Sequence, residues 1–225
     1  MSEHSTAVKH AYDGIYNRVF KRILDILISG VILLVIWPVL LIISIAIAIE
    51  DGFPVFYRAS RGGYRGREFR ICKFRSMVKN ADKIGGGTTA LHDPRITKTG
   101  NFLRKTKLDE LPQFGQVFLG KMSIIGPRPE LLRYTEQYRG DELDILKVRP
   151  GITDYSSIEF VNLDEIVGGD NADEMYEKLV LAKKNALRVK YAHTVSFSTD
   201  IRIFFGTAWA VLGKAFGFIF KKEHR

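Results

Sequence analysis

Ile26–Ile49 is an unbroken run of 24 residues with no charged side chain, and it limits the fold more than any other feature. As one helix it is roughly 36 Å long at ~1.5 Å per residue, longer than the ~30 Å apolar core of a bilayer. Arg18, Lys21, Arg22 and Asp25 precede it, and Glu50 and Asp51 follow. A cleaved leader fits poorly, because the run exceeds a leader's apolar segment and no small-residue cleavage site follows. Two readings stay open: a single span, and a re-entrant helix that dips into one leaflet and returns. Pro38, after Trp37, lies near the middle. Proline removes the bond to the Leu34 carbonyl and clashes with it, so a kink is expected there. Spanning helices also kink, so Pro38 does not choose between the two. Basic residues occur on both sides, Lys9 to Arg22 before and Arg58 to Arg75 after. The positive-inside tendency is better met if both flanks are cytoplasmic.

The remainder of the 225 residues suits one folded domain with appendages. The formal net charge of +9 favours an anionic partner. Aromatic-interleaved RNA-binding motifs are absent, so no nucleic-acid partner is expected. The single cysteine, Cys72, excludes an internal disulfide. His92 and His193 are far apart and lack cysteine neighbours, so no zinc-ligand spacing appears.

Phe53–Tyr57 reads as a short extended segment, Arg61–Gly66 as a turn and Glu68–Phe74 as the return strand of a hairpin. Gly85–Gly87 reads as a mobile loop. Helices are expected over Asn101–Lys107, Leu111–Leu119, Pro129–Tyr138 and Ala172–Leu187. Arg149–Thr153 reads as a turn and residues 159–174 as an acidic, solvated loop. Ile201–Phe220 carries Ile201, Phe204, Phe205, Ala208, Trp209 and Leu212 at helical spacing. That stripe suits either a core helix or one lying in a membrane interface.

The candidate chemistry lies in Lys107–Gln113, where Asp109 and Glu110 are adjacent carboxylates in a basic neighbourhood. Arg104, Lys105 and Lys107 precede them, and Arg128 follows between Pro127 and Pro129. Fixed positive charge keeps carboxylates ionised, and the set suits a divalent cation and a pyrophosphate. The plainer reading is a capping box, Thr106-x-x-Asp109, in which Asp109 does no chemistry. Lys73-Phe74-Arg75-Ser76-Met77 reads either as a half-exposed strand edge or as a cationic wall against phosphates. Arg128 reads either as part of a rigid turn or as a bidentate phosphate ligand.

With these residues in view, the chain resembles bacterial sugar transferases of the monotopic phosphoglycosyl transferase family. The resemblance rests on several segments in order. These are the apolar helix with Pro38, Lys73–Met77, Asp93-Pro-Arg-Ile-Thr97, Gly100–Phe114, Met122–Glu130, Arg149–Thr153 and Tyr191–Ile203. It implies an α+β, mainly helical fold. A kinked re-entrant helix would fill residues 18–50 after a tail at 1–17. A cytosolic catalytic domain with a small β-hairpin would fill 51–200, and an amphipathic membrane-associated helix 201–225.

The resemblance implies transfer of a sugar-1-phosphate from a UDP-sugar to polyprenyl phosphate at the bacterial inner membrane, initiating a membrane-linked glycan. The enzyme is then a phosphotransferase that releases UMP. Asp109 matches the family nucleophile, with Glu110 supporting it, and the two would hold Mg²⁺. Arg104, Arg128, Lys73 and Arg75 match phosphate-binding positions. Two departures stand out. Trp37 replaces the serine common before the kink proline, and Arg188 falls where an acidic residue is common before the tyrosine matched by Tyr191. The sugar and the oligomeric state stay open; Asp154–Gly169 is a candidate specificity region.

Overall fold

The apolar run folds as the larger part of helix α1 (Lys21–Asp51), which is continuous through Pro38 and follows a π turn at Tyr16–Phe20. The computed structural model describes residues 10–81, 88–89, 93–168 and 171–221, with side chains to 213. At 31 residues, α1 is roughly 46 Å long at ~1.5 Å per residue. Its two ends are docked and its middle is not. Lys21, Asp25 and Ser29 are buried at one end, and Ile43 and Ile47 at the other. Between them Leu34, Val35 and Trp37 are 77%, 70% and 60% exposed.

Polar contacts fasten both ends. Near the start, Lys21 pairs with Asp200, and Arg22 donates to the carbonyls of Val117 and Phe118 at 2.6 and 2.8 Å. Asp25 accepts from the Ile124 N–H at 3.0 Å. Near the end, Glu50 accepts from the N–H groups of Lys98 and Thr99 at 2.8 and 3.0 Å. Arg75 pairs with Asp51 at 2.9 Å.

Strands β1 (Phe56–Gly62) and β2 (Glu68–Phe74) form the expected antiparallel hairpin, with Phe56 opposite Phe74 and Gly62 opposite Glu68. The ladder starts later than Phe53, after Pro54, which has no N–H to donate. Helix α2 (Lys98–Thr106) starts earlier than expected. Its cap is Thr97, whose hydroxyl accepts from the Gly100 N–H at 2.9 Å. Gly100 is required by contact: a Cβ there would lie 2.0 Å from the Ser76 carbonyl oxygen. Lys107 ends α2 in the left-handed region at φ 60. A 3-10 turn, Leu108–Glu110, then leads into the short helix α3 (Gln113–Phe118).

Strand β3 (Ser123–Ile125) pairs in parallel with β4 (Gly151–Thr153), so the expected turn at Arg149–Thr153 ends in a strand. The backbones approach closely at Gly151, where a Cβ would lie 2.1 Å from the Gly126 nitrogen. Between these strands only α4 (Leu132–Thr135) and a 3-10 segment, Gly140–Lys147, are helical. The prolines at 127 and 129 keep Gly126–Leu131 out of a helix, which shortens the helix expected over Pro129–Tyr138.

Helices α5 (Tyr155–Glu159) and α6 (Leu163–Val167) follow. The acidic stretch is therefore partly helical, and Val167 is buried. Helix α7 (Ala172–Tyr176) passes through a π turn, Glu177–Leu181, into α8 (Ala182–Thr194). Helix α9 (Phe197–Lys221) closes the fold. Tyr191, Ala192, Val195 and Ile203 pack with Tyr12, Ile125 and Val148 in one core. Ile43 and Ile47 of α1 pack with Val55, Phe74 and Leu103 in another. On α9, Phe204, Phe205, Trp209 and Leu212 face outward. Gly85–Gly87 lies outside the described residues.

Candidate active site

The left-handed Lys107 and the turn after it carry Asp109 and Glu110 into a cleft of about 1790 Å³ between the hairpin, α2 and the β3–α4 loop. The capping box does not form. The Thr106 hydroxyl donates back to the Phe102 carbonyl at 2.8 Å, so Asp109 has no capping duty. Asp109 is buried, and its Oδ1 has no hydrogen-bond partner among the described residues. A buried acceptor left without a donor is uncommon and points to a ligand or a chemical role.

Glu110 is the opposite case. Its Oε1 takes Lys73 Nζ at 3.0 Å and also an Arg128 nitrogen, and its Oε2 takes Arg128 Nη1 at 2.9 Å. The Arg128 fork is bidentate, a geometry a lysine would not reproduce. Its other anchor is the Ile152 carbonyl at 2.7 Å, and its N–H is held by the buried Asp154 at 3.0 Å. The two carboxyls are driven apart. Burial pushes Asp109 up from the ordinary aspartate value, with Glu110 adding to the shift and Lys73 opposing it. Burial acts on Glu110 in the same sense, but Arg128 and Lys73 overcome it and hold Glu110 well below the usual range. Basic surroundings thus secure the charge of Glu110, whereas burial opposes that of Asp109.

The remaining expected phosphate ligands divide. Arg104 lines the cleft, donating to Thr89 Oγ1 at 2.7 Å and lying 3.5 Å from Ser76 Oγ. Arg75 also borders it, but its Nη2 holds the Asp51 and Gly52 carbonyls at 2.9 and 2.7 Å. Arg75 therefore clamps the end of α1, and its Nε and Nη1 have no hydrogen-bond partner among the described residues. Trp37 and Pro38 lie on the exposed middle of α1 and are not among the residues that line the cleft.

Several site residues had no role in the sequence reading. Glu130 accepts from Arg188 Nη2 at 2.9 Å and from the Tyr176 hydroxyl. Arg188 and Lys184 hold Glu130 at about 2 against the upward push of burial. Lys184 is buried beside them, and burial followed by Arg188 brings it down to about 7. Lys184 and Arg188 are four apart on a helix, a spacing that alone does not say which way they face.

For Mg²⁺ the fit is unequal. Magnesium prefers a few carboxylate oxygens completed by water and substrate phosphates. The orphaned Oδ1 of Asp109 meets that need; Glu110, with both oxygens held by cations, does not. A second acidic group, His10, Asp144 and His193, brings its ligand atoms within 4.8 Å of one another. There Asp144 is already paired with His193 at 2.7 Å and Lys147 at 2.8 Å.

Cations closing on an acid pair, of which Asp109 is buried, define a cleft suited to phosphate esters. The model of the bacterial sugar transferase family matches residues 16–214, and the chain belongs to that family. The UDP-glucose:undecaprenyl-phosphate glucose-1-phosphate transferase of Escherichia coli K12 is 40% identical over 197 residues, covering 86% of this chain and 40% of that protein. The UDP-N-acetylgalactosamine-undecaprenyl-phosphate N-acetylgalactosaminephosphotransferase of Aeromonas hydrophila is 37% identical over 141 residues, covering 61% and 33%. The uncharacterized sugar transferase EpsL of Bacillus subtilis (strain 168) is 34% identical over 195 residues, covering 86% and 88%. The chain thus spans 40% and 33% of the first two relatives' length.

Proposed function

We propose that the chain transfers a sugar-1-phosphate from a UDP-sugar to polyprenyl phosphate through a covalent intermediate on Asp109. The observation that carries this is the contrast between the two carboxyls. Glu110 is saturated by Arg128 and Lys73, whereas the buried Asp109, which lines the cleft, has an oxygen with no partner among the described residues. In the first step the ionised Asp109 oxygen attacks the β-phosphorus. The bond from that phosphorus to the bridging oxygen breaks, and UMP leaves with the electron pair. In the second step a polyprenyl phosphate oxygen attacks the same phosphorus and the aspartyl ester bond breaks. The carboxylate returns and a polyprenyl diphosphate sugar is released. Bonds change only at phosphorus, so the anomeric configuration is kept. This is covalent catalysis by a carboxylate.

Arg104 and the face of Arg128 not used on Glu110 would hold phosphate oxygens. Asp109 and the donor's pyrophosphate oxygens would hold Mg²⁺, which offsets the repulsion between carboxylate and pyrophosphate.

The acceptor places the chemistry at a membrane, and the docking of α1 supports re-entry from the cytosolic face. Both ends of α1 attach to the same body, and its exposed apolar stretch lies between them around Pro38. A spanning helix has no need of such double docking. The outward aromatics of α9 support a helix resting in the same interface.

The test is UMP release from a UDP-sugar without lipid acceptor, with intact-protein mass spectrometry. Expected are up to one UMP per protein and a sugar-phosphate adduct at Asp109. UMP release that strictly requires polyprenyl phosphate would replace this scheme by a direct displacement.

A further inference from the structure

The cleft extends past the acid pair to a second charged cluster. Glu130 follows Arg128 by two residues on the Pro-Arg-Pro loop and lines the same cleft. Its carboxylate is gripped by the fully buried Arg188 and by Tyr176. Lys184 also lines the cleft and is only 7% exposed. Among the described residues it forms no ion pair. Its nearest acceptor is the Tyr176 hydroxyl at 3.5 Å, and the rings of Tyr176 and Phe160 lie 5.0 and 5.9 Å from its nitrogen. Glu130, Arg188, Arg128 and Asp154 are the charges that act on it.

A buried ammonium with so few partners lowers stability, so its place in a binding cleft calls for a ligand that supplies an acceptor. A second phosphate suits the spot poorly, because Glu130 keeps its charge there. A neutral polyol suits it well: hydroxyls accept from an ammonium, donate to a carboxylate, and a sugar's apolar face rests on an aromatic ring. We propose that Lys184, with Glu130 and Phe160, receives the sugar ring of the nucleotide sugar, and that Lys184 is a specificity-determining residue through its bond to a sugar oxygen. This rests on the reading that the donor is a UDP-sugar with its pyrophosphate at Arg104 and Arg128.

The test is equilibrium binding to the full chain in detergent, with UDP, UDP-glucose, UDP-galactose and UDP-N-acetylgalactosamine as probes. Wild type is expected to bind at least one of the sugars more tightly than UDP. A hydrogen bond to a charged donor contributes about 1.5–3 kcal/mol, so Lys184→Met is expected to erase at least tenfold of that preference. UDP affinity itself should stay within twofold. Lys184→Gln, which keeps a donor, should retain part of the preference and change the ranking of the sugars. Equal weakening of UDP and UDP-sugars would overturn the proposal and assign Lys184 to the nucleotide or its phosphates. An unchanged preference in both variants, or none in wild type, would overturn it too. Sugar-dependent binding that survives without any UMP release would instead sink the transfer reading and leave this subsite standing.

Discussion

Glu110 and Glu130 are each gripped by an arginine inside one cleft, but what stands beside each pair differs. At Glu110, Arg128 and Lys73 serve one carboxylate and leave one oxygen of a second, Asp109 Oδ1, without a hydrogen-bond partner among the described residues. At Glu130, Arg188 and Tyr176 serve the carboxylate and leave an ammonium, Lys184, nearly without one. On the proposed scheme the first arrangement keeps a nucleophile in reserve, the second a hydrogen-bond donor. A buried ionisable group that its neighbours do not satisfy is costly for stability, so each end of the cleft gives up some stability to hold a group ready.

The sharpest way to break this comparison is to remove the reserve at the first end. Asp109→Asn keeps the size and loses the ionisable oxygen. UMP release should fall by at least about a thousandfold, the scale seen when a nucleophile is removed from a catalytic unit. The fold should persist, because the Glu110–Arg128 pair is untouched. Single-turnover UMP assays with a thermal melt check both parts. Retained turnover would end the assignment of Asp109.

At the second end the larger effect is on stability. Glu130→Gln leaves the Arg188 guanidinium, 1% exposed at its side chain, in the interior without a counter-charge. Breaking one partner of a buried pair costs about 3–5 kcal/mol. Glu130→Met with Arg188→Met should recover most of that loss. If the single and double variants melt alike, Glu130 does not hold Arg188.

The same end should also yield a gain. An unfolded lysine titrates near ~10.4, whereas Lys184 in the fold is brought down to about 7. Between those values the unfolded chain binds more protons, so stability rises with pH. At and below pH 7 the folded protein bears the whole penalty. Lys184→Met should therefore stabilise by on the order of 2–4 kcal/mol at neutral pH. That gain should fade toward pH 10. Chemical denaturation at both values checks the sign, and a gain independent of pH would mean that the buried charge of Lys184 is not its source.

How far the sequence alone discloses the two ends follows the same division. Asp109, Glu110 and Arg128 stand out because adjacent acids among cations and an arginine between prolines are unusual local patterns. Lys184 and Arg188 do not, because cations four apart on a helix ordinarily face solvent. The π turn at Glu177–Leu181 resets the helical phase between Ala172 and α8, so spacing counted from Ala172 does not locate the buried face. Arg75 misleads in the other direction. In an alternating strand it reads as a phosphate wall, but the clamp it makes on Asp51 and Gly52 exists only once α1 has docked. The long apolar helix is plain from its composition. That both of its ends bind one body is not, since only tertiary contacts carry that fact.

The two ends also separate on the acid side of the pH scale. Burial raises Asp109 above the ordinary aspartate value, so the proposed nucleophile should take up its proton at a higher pH than an ordinary aspartate does. Below its pKa the rate should fall about tenfold per pH unit. Glu130 behaves in reverse. Its folded value of about 2 lies below the unfolded one, so its contribution to stability is whole above about pH 4.3 and is lost as pH falls toward 2. A window should therefore exist, above the range in which Glu130 titrates, in which catalysis declines while the Glu130–Arg188 pair is intact. Returning the enzyme to pH 7 should then restore the rate at once. Circular dichroism and UMP release measured on the same samples decide the matter. If activity and fold disappear together across that window, Asp109 is not the group whose protonation limits the rate, and the proposed difference between the two carboxylates fails with it.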